Sequence, residues 1–161
     1  FAGLRVITNN YQSFSSGSKR EIIEINKESF SLKILPLICY EIIYSGKIFR
    51  NANFDLIINI SEDGWFGESI GPKQHFVHSV FRAVESGKYI LRSTNNGITA
   101  IINPLGIVEQ KVEFGKSGYV DFKEGRKIQP TAFSKYGNKI FIILIFLYIF
   151  IIFSFNKITN E

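Results

Sequence analysis

From Ile140 to Phe155 the chain reads IFIILIFLYIFIIFSF, sixteen residues without a charge and with only Tyr148 and Ser154 as polar side chains. No amphipathic period runs through it. Every face of a helix built on this run is apolar, so such a helix has to be surrounded by apolar material. At about 1.5 Å per residue it measures ~24 Å, a little short of the roughly 30 Å of a bilayer's hydrocarbon core. Lys139 and Lys157 flank the run and can snorkel their ammonium groups to the two interfaces. The expectation is a transmembrane helix over 140–156 and a short tail over 157–161. The alternatives are a buried core helix or a pair of central strands, since Ile and Phe favour strands.

The rest of the chain is of a different kind. Hydrophobic residues are 45% and charged residues 20% of the whole, which excludes disorder, collagen and a coiled coil. Lys33–Ile38 (KILPLI) and Phe54–Ile60 (FDLIINI) read as buried strands, as do Tyr89–Thr94 and Ile98–Asn103. Between them Lys73–Ser86 sets Phe76, Val77, Val80, Phe81 and Val84 on one helical stripe, with Gly87 as its C-terminal stop. Asn95-Asn96-Gly97 is a hairpin signal, and Asn103-Pro104-Leu105-Gly106 a second turn leading into a strand over Ile107–Val112. Tyr11–Arg20, with four Ser and one Gly, reads as a surface loop. The pattern implies an α/β unit: a mixed sheet covered by helices.

Charge excludes one partner class. The chain carries 19 Lys and Arg against 14 Asp and Glu (19 − 14 = +5), but the basic residues do not cluster. The adjacent pairs Lys19-Arg20 and Arg126-Lys127 each have an acidic residue close by, Glu21 and Glu124. No nucleic-acid partner is expected. The single Cys excludes an intrachain disulfide framework and a Cys-rich zinc site. The chain contains no Met and starts at Phe1, from which the expectation is a C-terminal piece of something longer.

Chemistry centres on that one thiol. Cys39 follows the strand KILPLI and precedes Tyr40-Glu41-Ile42-Ile43-Tyr44, which can begin a helix. A thiol at such a strand-to-helix turn lies near the positive end of a helix dipole, which favours the thiolate. The Tyr40 backbone N–H is then free to meet a developing oxyanion. Position alone leaves a second reading open, a small buried hydrophobe with no chemistry. His75 and His78, three apart with no further ligand cluster, give no metal site. Arg82 and Glu85, also three apart, read first as a surface ion pair, with a buried role left open.

The combined motifs are more specific. Ile38-Cys39-Tyr40-Glu41, Asp63-Gly64-Trp65-Phe66-Gly67, Gly71-Pro72-Lys73-Gln74-His75 and Thr94-Asn95-Asn96-Gly97-Ile98-Thr99-Ala100 stand in order along the chain. Together with the segment Gln129–Asn138 they resemble the C-terminal part of the apolipoprotein N-acyltransferases, a branch of the nitrilase (carbon–nitrogen hydrolase) superfamily, over about the whole chain. The resemblance implies residues 1–128 as the C-terminal portion of a nitrilase-like α-β-β-α sandwich, 129–139 as a juxtamembrane linker, then one transmembrane helix. It implies an acyltransferase. An acyl chain passes from a membrane phospholipid to Cys39 as a thioester, then to the α-amine of a lipid-modified N-terminal cysteine of an apolipoprotein, in ping-pong fashion. Cys39 matches the nucleophile, Tyr40 and Glu41 the residues beside it that shape the site, and Trp65 and Phe66 an aromatic loop near the pocket. Glu41 also reads as a first-turn carboxylate that complements a helix dipole, and Trp65 and Phe66 as ordinary anchoring aromatics.

The same resemblance shows what these residues lack. A nitrilase-type mechanism needs a Glu base and a Lys besides the Cys, and in the family both stand well before the Cys. Glu21, Glu24, Glu28 and Lys33 match neither position, so these 161 residues alone are expected to be inactive. Glu62 and Gly64 stand where the family usually has Asn and Ala. The resemblance implies no cofactor, no metal and a monomer at the inner membrane, with the catalytic domain on the periplasmic side. Lys and Arg counts point the other way: Arg126, Lys127, Lys135 and Lys139 precede the apolar run and only Lys157 follows it. Two further functions fit the residues, a hydrolase of small amides or nitriles and a membrane-anchored, non-catalytic interaction module.

Overall fold

Continuous β-branched runs with polar punctuation between them make the centre of one six-stranded sheet, in the order β1 to β6 along the chain. The computed structural model describes residues 21–46, 48, 53–126 and 128–159. The loop expected over Tyr11–Arg20 lies outside them. β2 (Phe30–Ile38), β3 (Leu56–Ser61) and β4 (Tyr89–Thr94) run parallel, Ile34 beside Leu56 and Leu56 beside Tyr89. β5 (Thr99–Ile102) and β6 (Val108–Val112) return antiparallel, the first through the Asn95–Gly97 turn. β1 (Ile23–Lys27) adds an antiparallel edge to β2. The sequence offers no sign of β1, because all five of its residues are exposed and its pairing with β2 supplies the order that patterning does not.

α1 (Gly71–Ser86) connects β3 to β4. Pro72 sits in its first turn, where a missing N–H costs nothing, and Gly87 ends it at φ 66°, a left-handed conformation that glycine adopts without a Cβ penalty. Leu35, Leu37, Ile57, Ile90, Ala100 and Ile102 form the sheet face packed on Ala83 of this helix. Ile57 and Ile90 are fully buried there, and trimming either to Ala costs about 2–5 kcal/mol. The opposite face carries Ile34, Leu56, Tyr89 and Ile101 under Val120 and Phe122, while Ile38 and Ile60 remain exposed on it. Among the described residues there is one sheet with one long helix on one face. That is a mixed α/β fold in keeping with a nitrilase-like domain, and two of the four layers the resemblance implies.

Two expectations are corrected. The apolar stripe of α1 does not turn inward as a unit. Val77, Phe81 and Val84 are exposed, and the buried positions are Pro72, His75, Ser79, Arg82, Ala83 and Ser86. The helix buries its polar residues because the sheet below offers them polar partners. The apolar run does form a helix, α3 (Lys139–Thr159), which follows the short α2 (Ala132–Tyr136) inside the expected linker. Every side chain from Phe141 to Phe153 is exposed, so α3 is no buried core helix or strand pair. Among the described residues no helix is long and apolar enough to cross a membrane. The transmembrane expectation over 140–156 is thereby corrected to an exposed apolar helix. α3 itself runs 21 residues, but its unbroken apolar stretch, Ile140–Phe155, is sixteen, under the roughly 20 apolar residues a span needs.

Candidate active site

β2 ends at Ile38, and the chain turns at once into a five-residue 3-10 helix, Cys39–Ile43. Cys39 is its first residue and has φ 47°. Left-handed backbone at a non-glycine residue is uncommon and costs energy that its surroundings must hold in place. The Glu41 carboxylate helps to hold it, since Oε2 accepts the Ile38 N–H at 2.7 Å. A helix of five residues has little macrodipole, so the dipole argument for the thiolate is corrected to one about neighbouring side chains.

Those neighbours come from the next two strands. The apolar runs of β3 and β4 are broken by Asn59, Ser61 and Arg92, and the register sets Asn59 directly beside Arg92 on the face toward α1. Ser61 Oγ lies 3.6 Å from Cys39 Sγ and donates to Asp63 Oδ1 at 2.7 Å. Asp63 Oδ1 also accepts from His75 Nδ1 at 2.8 Å, and Oδ2 from Arg92 Nη2 at 2.7 Å. Arg92 Nη1 donates to Asn59 Oδ1, and Asn59 Nδ2 donates to the carbonyls of Leu37 (3.1 Å) and Cys39 (3.4 Å). The chain of bonds therefore runs from α1 through Asp63 and Arg92 to the backbone on both sides of the nucleophile turn.

All three ionisable members are buried: Asp63 fully, Arg92 at 1% exposure and His75 at 3%. Isolated charges there would cost several kcal/mol each, and pairing is what makes them tolerable. Burial pushes the Asp63 carboxyl up. The hydrogen bond from His75, the Arg92 charge and the Ser61 hydroxyl together outweigh it and hold the group below its ordinary value. Burial lowers the Arg92 guanidinium, opposed by Asp63 and by the negative charge available at Cys39. The hairpin closes the cluster from above, with the Asp63 N–H donating to Asn95 Oδ1 at 3.1 Å. Gly97 packs so closely that a Cβ built there overlaps Asp63 Oδ2.

The expected site residues divide. Tyr40 and Phe66 gather at His75, whose ring lies 5.7 Å from that of Tyr40 and 5.6 Å from that of Phe66, and Cys39 reaches the cluster through Ser61. Trp65, in the same 3-10 turn as Phe66, is 77% exposed. His75 is a hydrogen-bonded member of the cluster, and no group of three or more potential metal ligands occurs among the described residues. Arg82 and Glu85 are corrected from a surface pair to a largely buried one at 2.9 Å. Arg82 reaches the Ile43 carbonyl and Ser45 donates to Glu85, so the end of the nucleophile turn is pinned to α1. Asn59, Ser61, Asp63 and Arg92 escaped individual notice in the sequence. The available signal was polar residues at same-face positions inside strands that are otherwise apolar. A cavity of about 380 Å³ bounded by Phe30, Leu56, Tyr89, Phe122 and Arg126 opens at the opposite ends of these strands.

The carbon-nitrogen hydrolase family matches residues 8–120. The chain is 44% identical over 136 residues to an apolipoprotein N-acyltransferase of Rickettsia bellii, covering 83% of this chain and 26% of that protein. It is 42% identical over 136 residues to the one from Rickettsia prowazekii (83% and 27%), and 41% identical over 144 residues to the one from Wigglesworthia glossinidia brevipalpis (87% and 28%). The chain thus spans about a quarter of the length of the curated relatives it matches. An amidase from Nesterenkonia sp. AN1 is similar at a TM-score of 0.46 and 16% identity, over 63% of this chain and 41% of that one.

Proposed function

The chain belongs to the carbon–nitrogen hydrolase family, and from that premise we propose that it carries the nucleophile of an apolipoprotein N-acyltransferase. The observation that supports this most is the placement of Cys39, held in left-handed backbone at a strand end above a buried Asp63–His75–Arg92 cluster. In the proposed reaction the Cys39 thiolate attacks the ester carbonyl of a phospholipid. A C–S bond forms, the C–O bond to the glycerol breaks, and the departing alkoxide takes up a proton. The amine of a diacylglyceryl-cysteine lipoprotein then attacks the thioester, forming the amide and returning the thiolate, while the ammonium proton goes to a base. The Tyr40 backbone N–H serves the oxyanion, and Glu41 fixes the turn through Ile38. Trp65 and Phe66 border the acyl chain, and the exposed apolar surface of α3 suits work beside lipid at the inner membrane, with this domain on its periplasmic side.

These 161 residues hold no Glu and Lys in matching positions, so turnover requires such groups from outside them. The test is full-length protein in detergent with a phospholipid and a diacylglyceryl-cysteine peptide. Amide formation that Cys39→Ala abolishes supports the reading. Hydrolysis of a small amide in aqueous buffer, with no lipid-dependent acylation, overturns it in favour of a hydrolase.

A further inference from the structure

Ser61 lies within hydrogen-bond reach of the nucleophile's sulfur, and the proposed mechanism leaves it without work. It is 5% exposed, and its place is fixed by the register of β3 against β2 and β4. Its oxygen stands between two acceptors, Cys39 Sγ at 3.6 Å and Asp63 Oδ1 at 2.7 Å, yet a hydroxyl has a single proton to donate. With a neutral thiol at Cys39, the Ser61 proton goes to Asp63, and the S–H has the Glu62 carbonyl as its acceptor at 3.9 Å. With a thiolate, the stronger bond is the charge-assisted one to sulfur. Turning away from Asp63 leaves that carboxylate supplied, because Oδ1 keeps the bond from His75 and Oδ2 the bond from Arg92.

We propose that Ser61 is the hydrogen-bond donor to the Cys39 thiolate, its hydroxyl turning from Asp63 Oδ1 to Sγ when the thiol loses its proton. Asp63, His75 and Arg92 are then positioning residues: they hold the hydroxyl ready without depending on it. The charged and titratable groups around the pair are these three together with Tyr40, Glu41 and Glu62. The carboxylates of the last two are engaged by the backbone N–H groups of Ile38 and Gly64, and Glu62 also accepts from Asn95. The inference rests on the reading of Cys39 as the nucleophile, but it is tested on the resting thiol.

The experiment is alkylation of full-length protein with iodoacetamide between pH 6 and 9, scored by mass spectrometry on the Cys39 peptide. The thiolate forms a C–S bond and expels iodide, and the thiol proton passes to buffer. Ser61→Ala should slow alkylation at neutral pH on the order of ten-fold, the loss expected of one charge-assisted hydrogen bond, and move the pH–rate profile upward. If Ser61→Ala folds poorly, the isosteric pair Ser61→Thr and Ser61→Val reads the hydroxyl alone, with the same ratio expected between them. Equal rates for Thr and Val, or an unmoved profile in Ser61→Ala, would overturn the proposal. An unmoved profile in a protein that still forms its acyl-enzyme sinks the role of Ser61 and spares the acyltransferase reading. A Ser61-dependent thiol that never accepts an acyl chain supports the donor and sinks the acyltransferase.

Discussion

Replacing Arg92 by Met keeps most of the side-chain volume and removes the cation that Asp63 faces. In the wild type Asp63 is fully buried, with Arg92 Nη2 at 2.7 Å on one oxygen and His75 and Ser61 on the other. Arg92→Met leaves Oδ2 without its donor and the charge without its partner. Breaking one side of a buried pair in this way costs about 3–5 kcal/mol, against a total stability of roughly 5–15 kcal/mol for a domain. With a urea slope of about 1–3 kcal/mol per molar, the unfolding midpoint followed by far-UV circular dichroism should fall by about 2 M. The double variant Asp63→Asn/Arg92→Met no longer buries an uncompensated charge, so it should recover part of the loss. Raising the salt concentration should change little, since a buried pair is poorly screened. The reasoning fails if Arg92→Met costs under about 1 kcal/mol, or if the double variant loses the full sum of the two single changes.

Gly97→Ala should destabilise the fold by at least about 1–3 kcal/mol, because the new Cβ overlaps Asp63 Oδ2; an unchanged melting temperature would show that the hairpin is not seated on the cluster. Asp63 binds its proton less readily when folded than when unfolded, so its contribution is present above the ordinary carboxylate range and lost as pH falls through the lowered folded value. Stability measured from pH 6 to pH 2 should decline with that sign, and Asp63→Asn should flatten the slope. Glu85 runs the opposite way: burial lifts its carboxyl, and Arg82 and Ser45 only partly offset it. Its contribution is present below the ordinary carboxylate value and lost as pH rises through the raised one, a trend that Glu85→Gln should remove. Glu41→Ala should cost about 0.5–1.5 kcal/mol through the lost bond to the exposed Ile38 N–H, and should slow acylation of Cys39 more than Glu41→Gln does.

How much of this was legible in the chain follows from what each element is made of. β2, β3 and β4 announce themselves because central strands are rich in β-branched and other apolar residues, and ILPLI and LIINI are, with Asn59 the one polar interruption. α1 was legible in extent but not in orientation. Apolar periodicity assumes that a helix turns its apolar side to the core, whereas here His75, Ser79 and Arg82 turn inward to meet Asp63, Arg92 and the Ile43 carbonyl. β1 was hidden because an exposed edge strand needs no hydrophobic pattern. Cys39, Tyr40, Glu41 and Phe66 were found as a motif. The partners that hold the thiol came from residues far apart in sequence, brought together by strand register alone. Asn59 and Arg92 stand 33 positions apart, and no local pattern links them.

The most direct test of Cys39 as an acyl-carrying nucleophile is to trap the intermediate. Full-length protein is incubated with phospholipid bearing a labelled acyl chain and no amine acceptor, and the Cys39 peptide is weighed with and without hydroxylamine. The expected result is one acyl chain on Cys39, labile to hydroxylamine and discharged when a diacylglyceryl-cysteine peptide is added. A Cys39 peptide that stays unmodified while the acceptor still becomes acylated would contradict it.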